Sequence, residues 1–213
     1  PALIPEPKRK SMSTWISKAS LLVAGFLLAA CEAGVSVTRN APMQVQLADG
    51  LIVAGARGWC VDQTTSKARE GGAVVVLGSC AAIANNALLP SPRIDGIVTI
   101  SVETGAGVAP PVRDVASFLS TEQGRAALAR DGRAESVELL EVAAQDDAVF
   151  LHALDTSGGP LNTGADYWRA LFNIDGRFVS VSLAPNDPDQ ISRTQSIATL
   201  DAQIDRLKAA NAR

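Results

Sequence analysis

The stretch Trp168-Arg169-Ala170-Leu171-Phe172-Asn173-Ile174, the pair Asp175-Gly176, and Phe178-Val179-Ser180-Val181-Ser182-Leu183 decide the fold. Two runs dense in aromatic and aliphatic residues flank a dipeptide suited to positive φ, which predicts a β-hairpin closed by a two-residue turn. On its second strand Phe178, Ser180 and Ser182 fall on one face and Val179, Val181 and Leu183 on the other. Pro185 and Pro188 end the pattern.

Working outward, the chain reads mostly as strands. Asp49-Gly50 between residues 44–47 and 51–53 signals another hairpin, and residues 59–61 form a short strand. Residues 73–80 have the β-branched density of a central strand and residues 94–103 read as another. Residues 64–70 are polar and are expected to make one helical turn or two. The glycines and prolines of residues 105–111 break the pattern, and they carry no nucleotide-loop fingerprint. A helix is expected from Pro111, where Val112, Val115 and Leu119 recur at helical spacing. Ser120-Thr121-Glu122-Gln123 matches a capping box with Ser120 as the cap, starting a second helix over residues 121–130. Strands return at 136–143 and 148–155, joined by Gln145-Asp146-Asp147, and Gly158-Gly159-Pro160 is a loop. Residues 192–210 form a closing helix with Ile197, Leu200, Ile204 and Leu207 on one stripe. Two heptads are too few for an independent coiled coil, so the stripe is expected to pack within its own domain.

These elements predict the α+β class: one domain over residues 44–213, an antiparallel sheet with helices packed against it. Their order resembles that of the PsbP/Mog1-like envelope proteins, in which a curved sheet is covered by helices.

The amino-terminal part reads differently. Leu21-Leu22-Val23-Ala24-Gly25-Phe26-Leu27-Leu28-Ala29-Ala30 is an apolar run behind Lys8, Arg9, Lys10 and Lys18. It is about half the length that crosses a bilayer as a helix and suits a signal-peptide core. With the tetrad Leu28-Ala29-Ala30-Cys31 it resembles the signal of a bacterial lipoprotein, whose lipobox ends at the acylated cysteine. The resemblance implies a signal peptide over residues 1–30, with Met12 as an alternative start, and a lipid anchor on Cys31. Three acyl chains on that cysteine hold far more lastingly than one. Residues 31–43, with Gly34, Asn40 and Pro42, suit a flexible tether. Glu32 is not the aspartate that favours inner-membrane retention in the enteric branch of the family, so the outer membrane, facing the periplasm, is the expected address.

Once Cys31 is acylated, Cys60 and Cys80 remain as a pair in an oxidising compartment, which predicts a disulfide against the alternative of two buried thiols. The chain has 213 residues and 47% apolar side chains, enough to bury a core as one domain. Four basic residues and one acid precede Cys31, so the net charge of -3 becomes -6 for the remainder. Such a surface repels phosphate backbones, and nucleic acid is not an expected partner.

Candidate chemistry is sparse. His152 is the only histidine. It invites a reading as a general base with Asp155 as orienter and Ser157 as nucleophile. Residues 152 and 155 of one strand face opposite ways, however, and a structural histidine is the simpler account. One histidine beside a bonded cysteine pair supplies no zinc site. Asn186-Asp187-Pro188-Asp189 is a turn former before it is a calcium loop. No metal or cofactor is expected. Asp166-Tyr167-Trp168-Arg169 combines residue types favoured at binding hot spots and is the candidate binding patch, against a core Trp168 with Arg169 facing solvent. The function expected is a non-catalytic, membrane-anchored envelope module that binds a ligand or partner protein or supports assembly. A small envelope hydrolase or transferase using His152 is the alternative.

Overall fold

A computed structural model describes residues 40–103, 110–158 and 166–212, all within the compact unit Ser36–Arg213. The expected signal peptide, Cys31 and residues 31–39 of the expected tether lie outside the described residues, as do residues 105–109 and 159–160 of the two expected loops. The tether's last residues join the body: the Pro42 carbonyl accepts from the Val61 amide and the Met43 carbonyl from the Gly55 amide.

The described residues open with a hairpin of β1 (Gln44–Gln46) and β2 (Ile52–Ala54), which among those residues pair only with each other. β3 (Trp59–Val61), β4 (Lys67–Arg69) and β5 (Gly72–Ser79) open the main sheet, and a short helix α1 (Cys80–Ala84) follows. β6 (Gly96–Glu103) leads to α2 (Val112–Leu119) and α3 (Glu122–Leu128). β7 (Val137–Gln145), β8 (Ala148–Asp155), β9 (Asp166–Ile174) and β10 (Arg177–Pro185) complete the sheet before the long closing helix α4 (Arg193–Asn211). The result is the expected α+β architecture. An eight-stranded antiparallel sheet runs in the order β3-β5-β6-β10-β9-β8-β7, with β4 pairing the same edge of β5 as β3.

The β9–β10 turn is as expected. Asp175 and Gly176 both take positive φ, 50° and 74°, the geometry that a two-residue hairpin turn demands. The register that follows sets Ser182 opposite Arg169 and Leu183 opposite Trp168 on one side of β10, and Ser182 opposite Thr99 and Leu183 opposite Val98 on the other. Apolar alternates of β6, β8, β9 and β10 then share one face, where Val98, Ile100, Phe150, Phe172, Val181 and Leu183 form the main core with α4. Within α4, Leu200, Ile204 and Leu207 are buried and Ile197 packs partly against the core, so the stripe serves its own domain. Ser192 and Gln195 form a capping box at its start. Near its end the Asn211 side chain exchanges two hydrogen bonds of 2.8 Å with the Ile52 backbone, fixing the β1–β2 hairpin over the same face.

On the other face α2 and α3 cover β7 and β8, packing Val115, Leu119 and Leu128 on Val149, Leu151 and Leu171. The two helices sit close because α3 has a glycine, Gly124, in its first turn. A Cβ on Gly124 would lie 2.1 Å from the Phe118 carbonyl oxygen.

Four local expectations need correction. Residues 67–69 are an edge strand and not helix: the Asp62 carboxylate caps a turn by accepting from the Thr64 amide (2.9 Å) and the Thr65 hydroxyl (2.7 Å), which leads the chain onto the open edge of β5. Cys80 starts α1 instead of ending β5. Pro111 is the N-cap of α2 and not its first residue. The cap of α3 is Thr121, which accepts from the Gly124 amide at 3.1 Å, while the Ser120 hydroxyl turns back to the Ala116 carbonyl. The expected Cys60–Cys80 disulfide is present, with Cα atoms 4.8 Å apart, and it links β3 to the end of β5.

Leu200 has no exposed surface in the middle of the α4 interface. Leu200→Ala is expected to destabilise the fold by about 2–5 kcal/mol. Urea denaturation of wild type and variant checks this, and the mass in solution should not change.

Candidate functional site

Alternation along β9 divides the Asp166-Tyr167-Trp168-Arg169 patch between the two faces of the sheet. Asp166 and Trp168 point to the α4 face, and Tyr167 and Arg169 to the α2–α3 face. Each pair belongs to a different cluster.

On the α4 face Trp168 stacks on His152, with ring centroids 4.3 Å apart and planes 10° from parallel. His152 Nε2 lies 2.8 Å from Asp166 Oδ1. Glu141, opposite His152 in the β7–β8 register, holds Arg193 at the start of α4 through its two carboxylate oxygens. The Arg193 hydrogen bond outweighs burial and keeps the Glu141 carboxyl below its usual range, with the charges of Arg193 and His152 acting the same way. These groups line a hollow of about 230 Å³. His152 has an acid at hydrogen-bond distance but no nucleophile among the described residues. Ser196, at the same hollow, donates its hydroxyl to the Ser192 carbonyl. The cluster joins β7, β8 and β9 to α4.

The triad considered for His152 does not assemble. Asp155 lies on the opposite face, 2% exposed, and accepts from the Ser157 amide, the Ser157 hydroxyl and the Arg130 amide. Burial pushes its carboxyl up, but these hydrogen bonds and the Arg130 charge outweigh burial and hold it below the usual carboxylate range. Ser157 is thus a donor to a structural carboxylate. Asp187-Pro188 opens a short 3-10 turn over Pro188–Gln190, and no group of three metal-ligating side chains occurs among the described residues.

The larger site lies on the α2–α3 face. Because α2 and α3 stand over β7 and β8, the β6 and β10 part of that face lies beside the helices and becomes the floor of a cavity of about 630 Å³. Its hydroxyls come from cross-strand pairs: Thr99 opposite Ser182, and Ser101 opposite Ser180. Val115, Phe118, Leu119, Leu171 and Phe178 supply apolar walls, and Phe118 is 46% exposed. Arg169 stands at the edge of the hydroxyl row and donates from Nε to Ser182 Oγ at 2.8 Å. Its guanidinium lies over the Tyr167 ring, with Cζ 4.7 Å from the centroid. Its Nη nitrogens make no hydrogen bond or ion pair among the described residues. Burial lowers the Arg169 pKa, yet a guanidinium starts so high that it stays cationic at neutral pH. Tyr167 is 4% exposed, its hydroxyl is buried without a hydrogen-bond partner, and burial raises its pKa.

Sequence reasoning named Tyr167 and Arg169 but missed the hydroxyl floor and the α2–α3 wall. The alternation of Ser180 and Ser182 with valines was the signal for the floor. The wall had none, since helix packing direction is tertiary. No helix among the described residues is long and apolar enough to cross a membrane. No protein-family model matches the chain, and no curated protein matches it.

Two outcomes test this description. Tyr167→Phe removes a buried hydroxyl that has no partner, and such a group costs about 1–3 kcal/mol. The variant is expected to be as stable as wild type or more stable by up to about 1 kcal/mol in urea denaturation. Asp155 and Glu141 have folded pKa values below their unfolded values, so their stabilisation is complete above about pH 5 and is lost as pH falls through the folded values, below about pH 4. The melting temperature should therefore drop steeply below pH 4. Asp155→Asn should show a lower melting temperature at pH 7 and a smaller acid-induced drop.

Proposed function

We propose that the protein is a non-catalytic envelope lipoprotein, anchored through Cys31, whose body binds a ligand in the cavity beside α2 and α3. The observation that carries the binding part of this reading is the cavity itself. A space of about 630 Å³ falls in the range of about 300–1,000 Å³ found for ligand sites. Its mixture of apolar walls with a few converging polar groups is the usual composition of such sites. The two acid-bearing clusters are internally satisfied, which supports a binding role over the His152 enzyme. The Cys60–Cys80 disulfide accords with folding in an oxidising compartment. The anchor rests on the lipobox sequence, and the periplasmic side of the outer membrane on its Glu32.

Two measurements test the two halves. Cys31→Ser should abolish incorporation of labelled fatty acid and leave an uncleaved precursor; unchanged labelling would remove the anchor from the proposal. For the cavity, the neutral dye N-phenyl-1-naphthylamine should bind the body from Ser36 onward at one saturable site, with a fluorescence increase. Ser180→Trp, which fills the floor, should eliminate that increase while the melting temperature stays within a few degrees.

A further inference from the structure

Resting on the reading of the cavity as a ligand site, we propose that its occupant is an amphiphile with one carboxylate head and an unbranched apolar tail. The head sits on the free edge of the Arg169 guanidinium and the Tyr167 hydroxyl, and the tail runs along Val115, Phe118 and Leu119.

The charge of the site identifies the head. Arg169 is half-buried, and a guanidinium partly withdrawn from water without an anion carries a cost that proteins ordinarily offset by pairing it. Of the carboxylates lining this cavity, Asp155 is occupied by Ser157 and Arg130 and Glu103 pairs with Arg69, and neither makes an ion pair with Arg169. Ser182 holds Nε and the Tyr167 ring covers one face of the plane, so the two Nη nitrogens remain for a ligand. That planar edge matches two coplanar oxygens, the geometry in which arginine grips carboxylates bidentately. The orphaned Tyr167 hydroxyl adds a donor at the same cavity. The lining carries Arg69, Arg130 and Arg169 against Glu103 and Asp155, with Arg69 paired to Glu103, so its net charge of +1 balances a monoanion, whereas a doubly charged phosphate monoester would leave a charge uncompensated. The acidic net charge of the whole chain does not forbid this, because charges beyond about 8 Å are largely screened at physiological salt.

The walls identify the rest. Beyond the head the cavity offers aliphatic and phenyl surface, and Phe118 is 46% exposed in a domain whose other large aromatics are mostly buried. An apolar chain covering Phe118 removes that surface from water, a gain proportional to the area buried. The row Thr99, Ser101, Ser180 lines the floor and leaves room for polar substituents near the head, but supplies no charge.

The test titrates [1-13C]octanoate into the full chain held in lipid nanodiscs, with empty nanodiscs subtracted, and follows the carboxyl carbon by NMR. One saturable site is expected. Acetate, which lacks the tail, and [1-13C]octanol, which lacks the charge, should each bind at least about tenfold more weakly. Arg169→Met should weaken octanoate by at least about tenfold and leave octanol unchanged. Tyr167→Phe, which keeps the ring under the guanidinium, should weaken octanoate by roughly threefold or more with no loss of melting temperature. Octanol binding as tightly as octanoate, or an Arg169→Met chain that folds and keeps wild-type affinity for octanoate, would overturn the carboxylate assignment and leave the cavity as a ligand site. If Arg169→Met does not fold, unchanged octanoate affinity in Tyr167→Phe overturns it instead. Absence of saturable binding by both octanoate and octanol would overturn the ligand-site reading as well.

Discussion

Each residue of a β-strand can serve only one face of its sheet, and the structure depends on how β6, β9 and β10 use that constraint. Val98, Ile100, Ala170, Phe172, Val181 and Leu183 go to the main core, so their neighbours must go to the other side. Those neighbours are Thr99, Ser101, Arg169, Leu171, Ser180 and Ser182. A slip of one residue would turn four hydroxyls and a guanidinium into the core beneath α4, which fixes the register strongly. The polar floor is thus the obligatory reverse of the hydrophobic core. Asp175 and Gly176 set the register at one end, and the core enforces it along the whole length of the hairpin.

Two acid-bearing clusters of this molecule differ from the proposed site in how far their polar groups satisfy one another, although Asn173 Oδ1 and Gln203 Nε2 are also buried without a partner away from that site. Asp155 is nearly inaccessible and accepts three hydrogen bonds, the pattern of a carboxylate that holds β8 to the end of α3. His152, Asp166, Trp168 and Glu141 also account for one another, in a cluster that closes on α4 through Arg193. Arg169 and Tyr167 depart from this pattern together, at the cavity where β9 meets the hydroxyl row. Natural sequences tend to break local consistency where function needs it. Arg177 shows that the chain has counter-ions available: its guanidinium meets the Asp49 carboxylate at 2.6 Å near the hairpin turns.

Where the sequence was legible, one physical period dominated. The valine-serine alternation of residues 178–183 displayed the two faces of β10, the 3-4-3 spacing of Ile197, Leu200, Ile204 and Leu207 displayed the inward side of α4, and cysteine parity gave the disulfide. Elements held by tertiary context were harder to read. Lys67, Ala68 and Arg69 are all exposed and show no apolar alternation, and only the vacant edge of β5 makes them a strand. Ser120 and Thr121 compete for one cap with nearly equal chemistry, and the end of α2 takes Ser120. His152 and Asp166 are 14 residues apart, a pairing that depends on the β8–β9 register. The division of residues 166–169 followed from the same period of two that separates His152 from Asp155. A cluster contiguous in sequence is never contiguous on a strand.

That division also determines how rigid the proposed seat is. Asp166 and Trp168 are fixed by His152 on one face, and Tyr167 and Arg169 alternate with them along the same three peptide units. β9 pairs on both sides, with β8 and β10, so the backbone under Arg169 has little freedom to follow a ligand. A guanidinium further held by Ser182 and by the Tyr167 ring has lost most of its rotamer entropy before anything binds. Placing the cation on an internal strand instead of a loop therefore lowers the ordering cost of recognition, and it favours a ligand whose head matches one fixed orientation. The mobile part of the match falls to the ligand, which is consistent with walls that offer apolar surface and no directional contacts along α2.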